Sequence, residues 1–144
     1  MILYLDTSAV VKLYASEEGS AKVRREVSAA DQIAASLICY VETRAALRRK
    51  FGLKQINASR YESSKGDFDL DWTGFLKMPV DLLAVVRAAD LAEQFGLRAY
   101  DAIHLASAER LGRETGSRIL FVCFDAALNR AAVNIGLKLV AGNN

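Results

Sequence analysis

Short apolar runs alternate with helical stretches from one end of the chain to the other, and that alternation is the strongest constraint on its fold. Met1-Ile2-Leu3-Tyr4-Leu5 stops at Asp6-Thr7-Ser8, three residues able to cap a helix, before Ala9 to Tyr14. This predicts a strand, then a helix. Gly19-Ser20 breaks the pattern, Ala21 to Ala29 reads as a charged helix, and Gln32 to Ser36 as a second strand. A long helix is predicted from Leu37 to Phe51, capped by Gly52. Residues 54 to 74 are more polar and predict a helix that becomes irregular before Trp72. Phe75 to Val80 reads as a third strand, Asp81 caps a helix that Gly96 stops, and a further helix spans Arg98 to Leu111. Arg118 to Phe124 is the clearest strand, Asp125 starts a helix to Asn134, and Leu137 to Val140 closes the series.

Strands separated by helices run parallel, joined by right-handed crossovers that cover both sheet faces. The expectation is an α/β fold: a three-layer α/β/α sandwich with a central parallel sheet, residues 1–144 forming one domain. At 144 residues the chain has core enough to fold without disulfides or a structural metal. No apolar run approaches the roughly 20 residues of a membrane span, so no membrane partner and a cytoplasmic location are expected. Cys39 and Cys123, with one His in the chain, form no zinc pattern and read as reduced, buried thiols. A net charge of +2 permits a nucleic-acid partner without requiring one.

In open parallel sheets the ligand crevice lies beyond the C-terminal ends of the strands. Asp6 and Asp125 stand there, each immediately after a strand, although helix capping alone would also explain either. Asp81 follows the same grammar. Glu42 has Ile38, Cys39, Ala45 and Ala46 as its helical neighbours, so it projects from an apolar face with Arg49 the nearest cation, or lies at that face's edge and reaches water. Asp101 lies in the first turn of its helix, where the dipole favours negative charge, with His104 one turn on as a possible supporting partner. If Asp6, Glu42, Asp101 and Asp125 converge, their repulsion calls for protonation or a cation. All-carboxylate ligation selects Mg²⁺ or Mn²⁺ over zinc. Such a site suits phosphodiester chemistry, with Thr7 or Ser8 adding a hydroxyl.

Other motifs fail on spacing. No GxGxxG or GxxxxGK[ST] occurs. Asp67, Asp69 and Asp71 imitate a calcium loop, but Trp72 stands where Gly is needed and Met78 where Glu is needed. A phospho-accepting signalling domain has the same alternation, with Asp81 as the candidate acceptor. A non-catalytic interaction module could use Ile56, Tyr61, Phe68, Leu70, Trp72 and Phe75. Arg44, Arg48, Arg49, Lys50 and Lys54 form the densest basic cluster, able to hold a polyanion's phosphates or simply to form a solvated helix end.

At four segments the chain resembles the PIN-domain family, and within it the VapC-type toxins of toxin-antitoxin pairs. They are Asp6-Thr7-Ser8-Ala9-Val10-Val11-Lys12-Leu13-Tyr14; Tyr40-Val41-Glu42-Thr43-Arg44-Ala45-Ala46-Leu47; Leu97-Arg98-Ala99-Tyr100-Asp101-Ala102-Ile103-His104-Leu105-Ala106; and Phe121-Val122-Cys123-Phe124-Asp125 onward to Gly136-Leu137. The resemblance implies a PIN-like fold and a Mg²⁺- or Mn²⁺-dependent endoribonuclease. Asp6, Glu42 and Asp101 would hold the metal, Asp125 would complete or modulate the site, and a water activated there would attack RNA. It further implies a homodimer restrained by a VapB-type antitoxin. Cys123 departs from the Thr or Ser that many members carry two residues before the last Asp.

Overall fold

All four residues of β1 (Ile2–Leu5) are buried, which requires cover on both faces of the sheet. The computed structural model describes residues 1–142. After β1 come α1 (Thr7–Tyr14), α2 (Ser20–Ala29), β2 (Gln32–Ser36), α3 (Ile38–Gly52) and α4 (Ala58–Trp72). The chain continues through β3 (Leu76–Met78), α5 (Leu82–Phe95), α6 (Ala99–Thr115), β4 (Ile119–Val122), α7 (Ala126–Asn134) and β5 (Lys138–Leu139). Every strand pairing is parallel. The expected three-layer α/β/α sandwich is the observed fold.

The pleat of β1 divides the core. Ile2 and Tyr4 pack with Leu91 of α5, Leu105 of α6, Phe121 and Leu128 of α7. Leu3 and Leu5 face the other layer, with Val10, Val23, Leu47 and Phe68 from α1 to α4. Each fully buried Leu or Phe stabilises the fold by roughly 1.5–3 kcal/mol, so a strand buried on both faces anchors both layers at once. Among the described residues, no helix is long and apolar enough to cross a membrane.

The strand order is β3-β2-β1-β4-β5. From β1 the chain steps outward through β2 and β3, then returns to the other flank of β1 as β4 and continues to β5. The two halves diverge between β1 and β4, so the ligand crevice is expected beyond those two strand ends. Leu5 pairs with Val122, and the Asp6 amide donates to the Val122 carbonyl at 3.1 Å, which sets the two ends level.

Three boundaries differ from expectation. α4 stays regular to Trp72 because Asn57 caps it, accepting from the Arg60 amide at 2.8 Å, and because Phe68 anchors it. The Phe68 ring lies 5.3 Å from that of Tyr14, 5.5 Å from Tyr40 and 5.6 Å from Trp72. Gly52 is the last residue of α3 rather than its cap, and the left-handed turn falls at Lys54, with φ 58°. α6 runs past Leu111 to Thr115 and stops at Gly116, whose φ of 63° a side chain would resist.

Candidate functional site

Asp6 caps α1: its Oδ1 accepts from the Ala9 amide at 3.0 Å and from the Ser8 hydroxyl at 2.7 Å. The side chain is 4% exposed. Burial pushes its carboxyl up to about 6, the charge of Asp101 adds to the rise, and His104 with the Ser8 and Ala9 hydrogen bonds opposes it. Asp125 follows β4 and caps α7 in the same way, accepting from the Leu128 amide at 2.8 Å. Asp101 sits in the first turn of α6, and Glu42 on the first half of α3. All four acids line one cleft of about 490 Å³ at the divergence of β1 and β4, together with Thr7, Arg49, Arg98, Tyr100 and His104. Asp81 is not part of it. That residue caps α5 and takes Arg110, at 2.8 Å.

Within the cleft each acid has a partner. Glu42 is not central to an apolar face: Cys39, Thr43 and Leu47 form the buried stripe of α3, and Glu42 stands at its edge, half-buried. Its Oε1 accepts from the Thr7 hydroxyl at 2.7 Å and lies 2.7 Å from His104 Nε2. Burial would raise this carboxyl, but the His104 contact and the Thr7 bond outweigh burial and hold it below the usual range. His104 therefore supports Glu42, not Asp101 as its spacing had suggested. Asp101 instead accepts from Arg98 Nε at 3.1 Å, and Arg98 Nη2 lies 3.8 Å from Asp125. So partnered, the acids are not drawn into one shell: among the described residues, no three Asp, Glu, His or Cys side chains stand close enough to grip a single cation. The donor set itself fits a hard divalent ion. It is all carboxylate oxygen, and one of its members, Asp6, is buried at the cost of a raised proton affinity.

The basic cluster divides on inspection. Arg44 is tied to Asp69 at 3.0 Å, and Lys50 to Glu17 at 2.6 Å, so both join elements rather than face the cleft. Arg48 lies over the Phe51 ring. Only Arg49 of the five lines the cleft. Asp71 accepts from the Tyr14 hydroxyl at 2.9 Å, which gives this calcium-loop mimic a structural use. Cys123 serves the turn after β4, its thiol donating to Asn129 Oδ1 at 3.0 Å. The buried thiol is pushed well up by desolvation and stays protonated. Sequence reasoning missed Tyr4; Arg98 stood out in the sequence only as a residue three positions before Asp101, and the structure makes it the N-cap of α6 that pairs with that acid.

A larger cleft, about 860 Å³, opens at the opposite end of the sheet beside Met1, Asp31 and Asp71. It holds none of the four acids. The structure is an open parallel α/β sheet with four carboxylates lining a cleft at its divergence point, and comparison shows the family. The PIN domain family profile matches residues 3–134. The chain is 37% identical over 115 residues to Ribonuclease VapC45 of Mycobacterium tuberculosis, covering 77% of each chain. It is 32% identical over 139 residues to Ribonuclease VapC46 of the same species, covering 96% of each. Its fold is similar to that of VapBC2 from Rickettsia felis, crystallised with a DNA fragment from their promoter, at a TM-score of 0.64, 15% identity, and coverage of 96% of this chain and 97% of that one. The chain belongs to the PIN-domain family. Within the family it stands with the VapC toxins.

Proposed function

We propose that this chain is the ribonuclease toxin of a VapBC-type toxin-antitoxin pair, cutting RNA phosphodiester bonds by hydrolysis with Mg²⁺ or Mn²⁺ held by Asp6, Glu42, Asp101 and Asp125. The observation that carries the reading is that four carboxylates, from the ends of β1 and β4 and the first halves of α3 and α6, line one cleft. The relatives named as ribonucleases support the substrate. A bound divalent cation supplies Lewis acidity, lowering the pKa of water and offsetting charge on the phosphodiester.

The chain's own residues do the rest. Asp6 is fixed by its cap bonds and brings a carboxylate that desolvation makes receptive to positive charge. Glu42 is steadied by Thr7 and His104. Arg98 spans Asp101 and Asp125, and its side chain, 80% exposed, has the freedom to reach a substrate phosphate. Arg49 offers a second phosphate contact. Tyr100, 57% exposed at the cleft, offers a face on which a base can stack.

A VapB-type antitoxin is the partner that this reading requires. We place the homodimer contact on the exposed start of α5, argued below.

The test is incubation of a cellular RNA pool with purified, antitoxin-free protein in Mg²⁺ or Mn²⁺, beside EDTA and Asp6→Asn controls. Cutting that both controls abolish supports the proposal. Cutting that survives EDTA or the substitution overturns the carboxylate mechanism, and no cutting of any RNA class leaves a PIN-like binding module as the better reading.

A further inference from the structure

We propose that His104 and Tyr4 are positioning residues, forming a buried relay from the Tyr4 hydroxyl through the His104 imidazole to the Glu42 carboxylate that fixes Glu42 at the cleft. The inference rests on the reading of Glu42 as a cation ligand, but the relay consists of the chain's own contacts and can be tested apart from it.

Counting donors and acceptors gives the relay its direction. An ionised carboxylate only accepts, so the 2.7 Å contact between Glu42 Oε1 and His104 Nε2 places the proton on Nε2. The other ring nitrogen, Nδ1, faces the Tyr4 hydroxyl at 3.3 Å, and that hydroxyl is the donor when the ring carries its single proton on Nε2. Thr7 Oγ1 donates to the same Glu42 oxygen at 2.7 Å and lies 3.2 Å from Nε2, closing a small ring of contacts around the carboxylate.

Burial makes these contacts consequential. Tyr4 is 0% and His104 1% exposed, so water does not compete for either ring nitrogen. Tyr4 is itself immobilised, stacked on Phe121 at 5.7 Å and edge-on to His104 at 6.3 Å. A histidine this deeply buried is a costly choice where an aliphatic residue would pack, unless its hydrogen bonds are needed. Here they join three elements, β1, α6 and α3, and end on a residue of the cleft. Carboxylates that bind metals depend on such outer partners for orientation, and loss of one commonly weakens binding about 10- to 100-fold.

His104 is the only histidine in the chain, so imidazole ¹⁵N NMR of the metal-free protein reads this ring alone. The expected spectrum has Nε2 protonated and Nδ1 accepting a hydrogen bond, with Glu42→Gln shifting the first signal and Tyr4→Phe the second. Signals unmoved by both substitutions overturn the relay. Calorimetric titration with Mn²⁺ then reads the positioning: His104→Leu should weaken binding about tenfold or more, and His104→Gln, whose amide reaches the place of Nε2, should recover most of the loss. A folded His104→Leu with wild-type affinity overturns the role. If that variant fails to fold, Tyr4→Phe, which loses one oxygen and keeps its ring, carries the comparison: a severalfold loss supports the proposal and no loss overturns it. Wild-type protein that shows the relay by NMR yet takes up no Mn²⁺ sinks the cation reading while the fixing of Glu42 by His104 stands.

Discussion

Asp6 does two jobs that pull against each other: it caps α1, and it carries a carboxylate at the dry end of β1. Its carboxyl rises from an ordinary 3.8 to about 6, with burial the leading cause. The unfolded chain therefore loses this proton first as pH rises, and the buried charge costs the folded state about 3 kcal/mol once pH passes 6. Stability should fall between roughly pH 4 and pH 6 and then level off. Asn caps helices as well as Asp does, so Asp6→Asn keeps the bond from Ala9 and removes the charge. Denaturant melts in metal-free buffer should show the variant up to about 3 kcal/mol more stable at pH 7 and equal to wild type at pH 4. Equal stability at both would mean that neighbours already compensate the charge. Under the proposed cation site, Mn²⁺ should stabilise wild type and leave the variant unchanged. Asp6 and Asp125 were legible in the sequence because strand-then-acid-then-helix is a local pattern. The tie between His104 and Glu42 was not, since it joins α6 to α3 and neither helix's spacing reveals the other.

At the scale of elements, α3 shows why a run of like charges is a poor guide to function. Arg44 and Arg49 read alike in the sequence, yet Arg44 Nη1 donates to the Tyr40 hydroxyl at 2.9 Å and to both oxygens of Asp69 at 3.0 and 3.1 Å, bracing α4. Arg49 faces the cleft. Arg44→Ala should lower stability by up to about 1 kcal/mol, since the pair is part-exposed, and leave the salt dependence of RNA binding intact. Arg49→Ala should leave the melt unchanged, weaken RNA binding across sequences and reduce the salt slope by about one. Denaturant curves and a salt series of binding isotherms separate the two. If Arg44→Ala flattens the slope as well, Arg44 belongs to the RNA face after all. The order of strands and helices was legible because burial on both faces writes continuous apolar runs into β1 and β4. α4 was harder to read: with only Ser64 and Phe68 buried, its stability comes from ring contacts made by residues distant in sequence.

The whole molecule separates its surfaces. The acids lie beyond the C-terminal ends of β1 and β4, whereas α5 lies on one flank, bound to α6 through Arg87–Glu109 at 2.7 Å and Arg110–Asp81 at 2.8 Å. Leu82 and Leu83 are 76% and 72% exposed, Val85 and Val86 46% and 53%. Four neighbouring aliphatic residues on one helix end exceed the scattered apolar exposure of an ordinary surface, and in the proposed homodimer a second copy of the chain would cover them symmetrically. Leu83→Lys combined with Val86→Lys should fold normally and halve the mass measured by light scattering. A double variant that keeps the dimeric mass, or a wild type that is already monomeric, would remove α5 from the interface. Mn²⁺ affinity should survive the separation, because Asp6, Glu42, Asp101 and Asp125 all come from one chain and line one cleft. A monomer that lost the cation would instead show that the second copy keeps α6, and with it Asp101 and His104, in place.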